Sequence, residues 1–451
     1  MREGRPAPAS AGPRPSALLK VRALWLSPLI IGGTVVTLMT LIYIGSLAYA
    51  ATQLRGLPVA LVNQDVGAGN PRGELRFGDQ VVDDLTESAP VTKALSVRVL
   101  DLSEAQQQMD DGQIYAMIVI PPGFSESLMT MAGTTSTDAT VPAQIQLLTN
   151  PRLGSAGVGQ ATGVLTPALR AASRSIGEQL MPLSRPEIRS IPVAAEALRD
   201  PVETDTVQYR PLPTNSALGL SAFYLALLAT MCGFLGATLI HNTVDSALGY
   251  APTELGTKWR MRLPVPLSRW STLLTKWLLA LVLVPVFTLV MLVAAVLVVG
   301  LDAPGLPQLW LFTTLGGLCV AAGSLALLAA FGSIGQLLAL ILFVYLALAS
   351  SGATVPTEAI PDFFRLLSHA DPLRQLFIGV RSIIYFDGSA AAGWPAAAAV
   401  LTIELLIWVV LGVTVTRWYD RRGLHRLHPD VVAFVNESAE SFARERKTPP
   451  T

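Results

Sequence analysis

One acidic residue lies inside a long uncharged stretch near the C-terminus. Glu404 stands ten residues after Trp394 and twelve before Thr416, near the middle of a segment that can cross a hydrocarbon core of about 30 Å. A charge at that depth costs roughly 2.5–3.5 kcal/mol on insertion scales, so the carboxyl is protonated, paired, or facing a polar cavity. Two interpretations stay open. Glu404 contacts a substrate or a proton, or it is a neutral hydrogen-bonded carboxyl that holds two helices together.

Other residues that could do chemistry are few and scattered. The chain has no GxxxxGK[ST] phosphate-binding loop, no HExxH motif among its four histidines, and no paired cysteines. No Ser/His or Asp/Asp arrangement stands at usable positions. We therefore expect no catalytic residues, no cofactor, no metal ion and no nucleic acid partner. Lys276, at the inner edge of a predicted span, is expected to extend its ammonium to the membrane interface.

The elements that position Glu404 are membrane spans. Hydrophobic residues make up 51% of the chain and charged residues 14%, with a mean hydropathy of +0.49, which is typical of a polytopic membrane protein. The first apolar stretch, 25–51, follows Arg14, Lys20 and Arg22, so the positive-inside rule places its start in the cytoplasm. A cleaved signal peptide is the alternative, because Ala48-Tyr49-Ala50 has the form of a cleavage site. Basic flanks farther along the chain fit best when the stretch stays in place.

Between the first two spans the chain changes character. Residues 52–211 carry 12 Lys and Arg against 18 Asp and Glu, and no apolar run among them is long enough to span. Apolar strands are predicted at 58–69, 94–100, 114–122 and 143–150, and a long helix at 155–181. Strands that alternate with helices at this spacing predict an α/β domain, and the acidic balance places it outside the cytoplasm.

The fold class that follows is a polytopic α-helical membrane protein with six transmembrane helices, arranged as one plus five around a large extracytoplasmic α/β domain. The predicted division is a cytoplasmic tail and interfacial segment (1–24), transmembrane helix 1 (25–51), the α/β domain (52–211), transmembrane helix 2 (217–240), a cytoplasmic coupling loop (241–269), transmembrane helices 3–5 (270–352), an outer re-entrant or amphipathic segment (353–393), transmembrane helix 6 (394–416) and a cytoplasmic tail (417–451).

Three stretches carry a family resemblance. VALVNQDVGAG (59–69), GQIYAMIVIPPGFSESL (112–128) and GATVPTEAIPDFFRLLSHADPLRQLFIGVRSIIY (352–385) occur in this order, with the last one among the C-terminal spans. Together with the topology, they resemble the type-2 ABC exporter permeases and, within them, the phage-infection-protein (YhgE/Pip) branch. The outer domain is far larger than in simple drug or polysaccharide permeases of this kind.

The resemblance implies a permease that works as a homodimer or as one of two paired half-transporters and uses ATP hydrolysis by a separate cytoplasmic subunit. In similar exporters the loop between spans two and three forms a coupling helix that docks on the ATPase. Here Tyr250, Glu254, Arg260 and Arg262 would make those contacts; the alternative is that the arginines only determine topology. Residues 353–393 would match the re-entrant helices that cap the exit pathway.

The function expected from all of this is export. We expect a non-enzymatic, multi-pass protein of the bacterial plasma membrane with both termini in the cytoplasm. It would move an apolar or amphipathic substrate, such as a lipid, drug or envelope component, outward. The alternative is a non-transporting envelope receptor or assembly protein that acts through its outer domain.

Overall fold

The computed structural model describes residues 22–47, 50–70, 73–133, 143–213, 215–255, 258–260, 262, 264–265, 267–424, 426, 430–431, 433–434 and 437. Residues 1–21 of the predicted segment 1–24 and most of the tail after Arg426 lie outside the described residues, and residues 22–24 already belong to the first long helix. Within the described residues, the chain forms a helical bundle and an α/β region.

Six helices of the described residues are long and apolar enough to cross a membrane. They are α1 (Arg22–Leu47), α10 (Ser221–Ala247), α11 (Arg269–Val293, continued by a π-helical turn at Ala294–Val298), α12 (Leu306–Phe331), a fifth span running from Ser333 to Ser350, and α17 (Trp394–Arg421). The fifth span consists of α13 (Ser333–Leu340), a π-helical segment (Ile341–Leu346) and α14 (Ala347–Ser350). The predicted number of spans is confirmed, and α17 continues beyond the predicted end at residue 416.

The α/β region is built on one five-stranded sheet. Its strands are β1 (Leu57–Asn63), β4 (Leu95–Val99), β5 (Ala116–Ile120), β6 (Ala143–Thr149) and β7 (Val202–Gln208), in the order β4-β1-β5-β6-β7. The β1/β4, β1/β5 and β6/β7 pairs are parallel, and β5/β6 is antiparallel. The central strand AMIVI is buried on both faces, which is why it is a continuous apolar run. The edge strand β7 has no apolar run to mark it, and the sequence did not predict it.

Helices cover this sheet. They are α2 (Ala50–Gln53), α3 (Phe77–Glu87), α4 (Ala89–Ala94), α5 (Leu102–Asp110), α6 (Phe124–Gly133), α7 (Ser155–Leu183), α8 (Pro186–Arg189) and α9 (Pro192–Arg199), with a small hairpin of β2 (Ala68–Asn70) and β3 (Gly73–Leu75) beside them. The long α7 buries Leu165, Leu169, Ile176 and Leu180 at helical spacing against the core. The predicted helix at 155–181 and the α/β character of the region are confirmed.

The bundle is organised around α12. In the most apolar part of α12, 78% of the residues are buried inside the protein, whereas in the corresponding part of α1 only 6% are buried. Glycines allow this close packing: a Cβ at Gly233 of α10 would overlap the carbonyl oxygen of Gly317 in α12. The exposed faces of the other spans are apolar, as lipid or a second protein requires.

Residues 353–393 join the bundle to the α/β region. They contain α15 (Asp362–Leu367) and α16 (Pro372–Tyr385), and α16 is buried over most of its length against α10, α12 and α17. Arg152 Nη1 donates to Tyr385 O at 2.7 Å, and Arg381 Nη1 donates to Leu153 O at 3.3 Å. The α/β region therefore rests on α16 through charged donors. The helix α16 thus contacts both three spans and the α/β region.

The segment between spans two and three differs from the expectation. The helix α10 continues to Ala247, and residues 253–260 form an antiparallel hairpin of β8 (Thr253–Leu255) and β9 (Lys258–Arg260). Between α10 and α11, the described part of 248–268 contains this hairpin and no helix, so the coupling helix of similar exporters is not found there, and the coupling role of 241–269 stays a prediction. Pro252 follows the end of α10, and Pro264 and Pro266 precede α11, so helix is unfavourable at both ends of this segment.

Candidate functional site

A cavity of about 200 Å³ lies among the spans. Three parts of the chain line it: the fifth span, the turn that precedes α16, and α17. The lining residues are Leu342, Phe343, Leu346, Ala347, Ser350, Leu367, Ala370, Asp371, Pro372, Glu404, Ile407 and Trp408. All but three of these side chains are apolar, and two of the remaining three are carboxylic acids. The cavity therefore has an apolar wall that carries two carboxyl groups.

Glu404 is one of the two acids, and α17 holds it facing the bundle. Its side chain is 8% exposed. Cys319 of α12 approaches Oε2 with its Sγ at 3.6 Å, which is the one hydrogen bond that the described residues offer this carboxyl. Oε1 is buried and has no hydrogen-bond partner in the part of the chain that the structure describes. Burial without full hydrogen bonding is costly for a carboxyl, so this oxygen is the least satisfied group in the cavity wall.

Asp371 is the second acid. It is the N-cap of α16, where Oδ1 accepts from the Leu373 amide at 2.9 Å. Oδ2 lies 2.9 Å from Ser350 Oγ, which is also 2.8 Å from Leu346 O. One hydroxyl hydrogen cannot be donated to both oxygens, but a protonated Asp371 can donate to Ser350 while Ser350 donates to Leu346. Burial raises the pKa of Asp371 to about 7, in agreement with that arrangement.

Aromatic rings and an irregular helix complete the wall. Phe343 and Trp408 pack edge to face with ring centroids 5.5 Å apart. Phe343 and Leu346 belong to the π-helical segment of the fifth span, and such segments are frequent at functional sites because they widen the helix locally. A π-helical segment is thus present at the cavity wall.

A second polar site lies at the end of the bundle where α10, α11 and α17 meet. Asp245 accepts from Lys276 Nζ at 2.6 Å and from both Arg426 Nη atoms at 2.8 and 2.6 Å, and His241 Nε2 lies 3.2 Å away. Lys276 is only 4% exposed. The expectation that Lys276 extends to the interface is therefore wrong, because a buried carboxylate one helix away pairs with it.

Arginines stacked on aromatic rings surround this second site. Arg269 lies over Tyr419, Arg417 over Trp270, and Arg422 over Trp418. Asp420 accepts from the Arg269 and Trp270 amides and so caps α11 with the end of α17. Trp and Tyr with basic residues are typical of a membrane–water interface, which indicates that the bundle leaves the hydrocarbon at this level.

Of the four residues predicted to contact an ATPase, one has a described role. The Tyr250 hydroxyl donates to Val265 O at 2.7 Å, and its ring lies under the Arg426 guanidinium. Arg262 is exposed. Glu254 and Arg260 lie on the two strands of the hairpin, and their side chains are outside the described residues. Tyr250 thus connects the hairpin segment to the C-terminal tail.

Sequence reasoning singled out Glu404 but missed Asp371 and Asp245. The Asp371-Pro372 pair is a helix-start signal, and that signal was available in the sequence. It says nothing about proximity to Glu404. Asp245 stands only four residues after His241, but its partners Lys276 and Arg426 are distant in sequence.

Comparison with known proteins agrees with this architecture. The sequence model of the family described as "ABC-2 family transporter protein" matches residues 19–414. The chain is also 28% identical over 134 residues to "Uncharacterized protein YhgE" of Bacillus subtilis (strain 168), a match that covers 29% of this chain and 17% of that relative.

Among solved structures, a domain of a putative ABC type-2 transporter from Thermotoga maritima MSB8 is similar over 36% of this chain and 97% of its own, at 19% identity and a TM-score of 0.24. A score this low carries no weight for the fold. The family match does, since it runs from α1 to within a few residues of the end of α17 and includes the cavity. The chain therefore belongs to the ABC-2 family of transporter proteins.

Proposed function

We propose that this protein is the membrane permease subunit of an ABC-type exporter that moves an apolar or amphipathic substrate outward across the plasma membrane. The observation that carries the proposal is the cavity among the spans, where an apolar wall surrounds the carboxyls of Glu404 and Asp371. A protein that only needs anchorage has no use for a buried, poorly satisfied acid such as Glu404 inside its membrane region.

ATP hydrolysis would come from a separate subunit. The chain has no phosphate-binding loop of the GxxxxGK[ST] type, whereas membership of the ABC-2 family implies partnership with a cytoplasmic ATPase. The surface for that subunit would be the hairpin β8–β9 with Tyr250 and Arg262. Arg426 joins this surface to Asp245, so ATPase docking would act on α10 and α11 through one ion-pair cluster.

The orientation we propose has both termini in the cytoplasm and the α/β region outside, which is the one-plus-five arrangement. The basic, aromatic-lined end of the bundle supports it, because Arg269, Arg417 and Arg422 gather there. The α/β region is attached through α16 at the outer segment.

A homodimer or a pair of half-transporters would complete the pathway. The exposed face of α17 consists of apolar residues at helical spacing, among them Ile403, Leu406 and Val410. Such a face fits either lipid or a partner helix. The alternative function, an envelope receptor or assembly protein, is less favoured because one span would anchor it and five packed spans are in excess.

The test is ATP-dependent movement in proteoliposomes. The tagged chain is purified from its host together with any ATPase that accompanies it, and the efflux of a fluorescent amphiphile is followed. We expect Glu404→Gln to slow efflux about tenfold or more, and Thr402→Ala, an exposed position on the same helix, to leave it unchanged. If no ATPase accompanies the chain and ATP does not alter the flux, the proposal fails.

A further inference from the structure

We infer that the cavity binds an ammonium group carried on an apolar tail, so that the exported substrate is an amine-bearing amphiphile. The inference rests on the proposed export function for its physiological meaning. The site itself is argued from the cavity, and its test is a binding measurement that needs no ATPase.

The first step is the charge balance of the wall. Glu404 and Asp371 both line the cavity, and none of its lining residues is a Lys, Arg or His. The only described hydrogen-bond partner of Glu404 is Cys319, a weak donor. Outside the lining, Arg374 acts on Asp371 electrostatically, but neither acid forms an ion pair with a described residue. Both can therefore be satisfied by protons or by a cation that enters from outside.

The second step is the unpartnered oxygen. A neutral Glu404 would need an acceptor for its own proton, and a charged Glu404 would need donors. Oε1 has neither an acceptor nor a donor among the described residues. An ammonium group supplies up to three N–H donors, enough for Glu404 and Asp371 together, and each would be a charge-assisted hydrogen bond.

The third step is the shape and polarity of the remaining wall. Phe343 and Trp408 present aromatic rings, which attract a cation over their faces and repel an anion. A volume of about 200 Å³ is below the roughly 300–1,000 Å³ typical of sites for drug-sized ligands, so it fits a headgroup and the first carbons of a tail.

The fourth step is a route for the tail. Ile407 lines the cavity and also belongs to the exposed apolar face of α17, where it is 56% exposed. That face continues along Ile403, Leu406 and Val410. A tail that leaves the cavity past Ile407 would lie along this face in contact with lipid, while the ammonium stays between the two acids.

The experiment measures saturable binding of radiolabelled decylammonium to the full-length protein in phosphatidylcholine nanodiscs, with empty nanodiscs subtracted for partitioning into lipid. Decanol and decanoate, which have the same tail length, are the competitors that test the headgroup. We expect decylammonium to bind at one site per chain, and decanol and decanoate to compete at least about tenfold more weakly.

Variants assign the site. Glu404→Gln is expected to weaken decylammonium binding at least about tenfold, and Asp371→Asn to weaken it by a smaller factor because Asp371 is already hydrogen-bonded at both oxygens. Thr402→Ala is the matched control on α17. If decanol binds as tightly as decylammonium and Glu404→Gln changes nothing, the inference is overturned.

A measurement on the unaltered chain covers the case in which Glu404→Gln fails to fold. Diisopropylcarbodiimide modifies buried carboxyls, and peptide mass spectrometry reports the modification of Glu404. Decylammonium is expected to protect Glu404 at least about fivefold more than decanol does. Equal protection by the two compounds would overturn the inference.

Two further results separate this inference from the proposed function. Saturable decylammonium binding without ATP-dependent efflux supports the site and contradicts the proposed export function. Efflux of a neutral amphiphile by a chain that does not bind decylammonium supports export and overturns the site. Competition by phosphatidylethanolamine identifies an aminolipid headgroup as the source of the ammonium, whereas its failure identifies a free amine, and both results support the site.

Discussion

At the level of single residues, this chain accommodates two buried carboxyl groups in different ways, one as part of an ion-pair cluster and one by hydrogen bonds alone. Asp245 pairs with Lys276 and Arg426, so two cations compensate its charge, and His241 Nε2 lies 3.2 Å from it. Asp371 accepts from the backbone amides of Leu373 and Arg374 and is hydrogen-bonded to the Ser350 hydroxyl, without an ion pair among the described residues. We expect the first to act as a charged structural clamp and the second to keep its proton near neutral pH.

Removing the charge of Asp245 is expected to be strongly destabilising. Asp245→Asn leaves the buried Lys276 ammonium without a carboxylate, and breaking a buried pair in this way typically costs about 3–5 kcal/mol. Lys276→Met should cost less, because Arg426 still pairs with Asp245. Denaturant unfolding of the purified protein in detergent measures both.

The control for the clamp is Glu196→Gln, which breaks an exposed pair with Arg199 and should cost about 1 kcal/mol or less. The interpretation of Asp245 as a clamp is contradicted if Asp245→Asn unfolds no more easily than this control. Adding Lys276→Met to Asp245→Asn should restore part of the loss, since it removes the unpaired ammonium.

Asp371 makes the stability of the protein depend on pH. Its pKa is raised from 3.8 in the unfolded chain to about 7 in the fold, so between these values the native state holds a proton that the unfolded state has lost. Stability from this group is complete at low pH and falls as pH rises towards 7. Asp371→Asn keeps a donor towards Ser350 and removes the titration. We expect the variant to gain on the order of 3 kcal/mol relative to the parent chain between pH 4.5 and pH 8.

Thermal unfolding of the two proteins in parallel across this range gives the difference. Asp362→Asn is the matched control, because it removes an acid whose side chain is 84% exposed. A constant difference between Asp371→Asn and the parent chain at all pH values would contradict the raised pKa.

The packing of single elements depends on small residues in α10 and α12. Gly233→Ala places a Cβ against the Gly317 carbonyl oxygen, and because a backbone atom cannot move aside as a side chain can, the helices must separate. We expect a loss of about 1–3 kcal/mol in the free energy of unfolding.

Gly32→Ala in α1 provides the comparison, since nothing lies within 4 Å of the added methyl group. It should be neutral or slightly stabilising because alanine favours helix over glycine. Equal losses at the two positions would contradict the assignment of the loss at Gly233 to the crossing of α10 and α12.

At the scale of the whole molecule, the orientation of the chain is the prediction with the widest consequence. Val66 in the α/β region is 69% exposed, and Arg262 near the hairpin is exposed. In intact cells a membrane-impermeant maleimide should label Val66→Cys at least about tenfold more than Arg262→Cys, because the positive-inside rule predicts a cytoplasmic position for Arg262.

Inverted vesicles should reverse this pattern, and the parent chain, with Cys319 buried and Cys232 half-buried, supplies the background. Labelling of Arg262→Cys in intact cells would show that the proposed topology is inverted. The proposed ATPase surface would then lie outside the cytoplasm. Recovery of a mature protein that begins near Ala51 would instead show that the first span is removed.

Local properties of the sequence were sufficient for the spans, four of the five strands of the main sheet and the long helix α7. Hydropathy over some twenty residues decides whether a helix can cross the membrane, and alternation or continuous apolar runs decide strands, so these elements needed no tertiary information. The same locality explains the errors. The hairpin at 253–260 lacks a strong apolar pattern, and β7 is recognisable only through its pairing with β6.

The sequence by itself determined that six spans exist and that one of them carries an acid, Glu404, near its middle. Only the tertiary structure decided what that acid meets: Cys319 comes from α12, and Asp371 shares the cavity from the start of α16. Likewise it decided that Lys276 pairs with Asp245 rather than reaching the interface. The physical reason is that hydropathy adds up along the chain, whereas ion pairs and cavities depend on which faces of separate helices pack together.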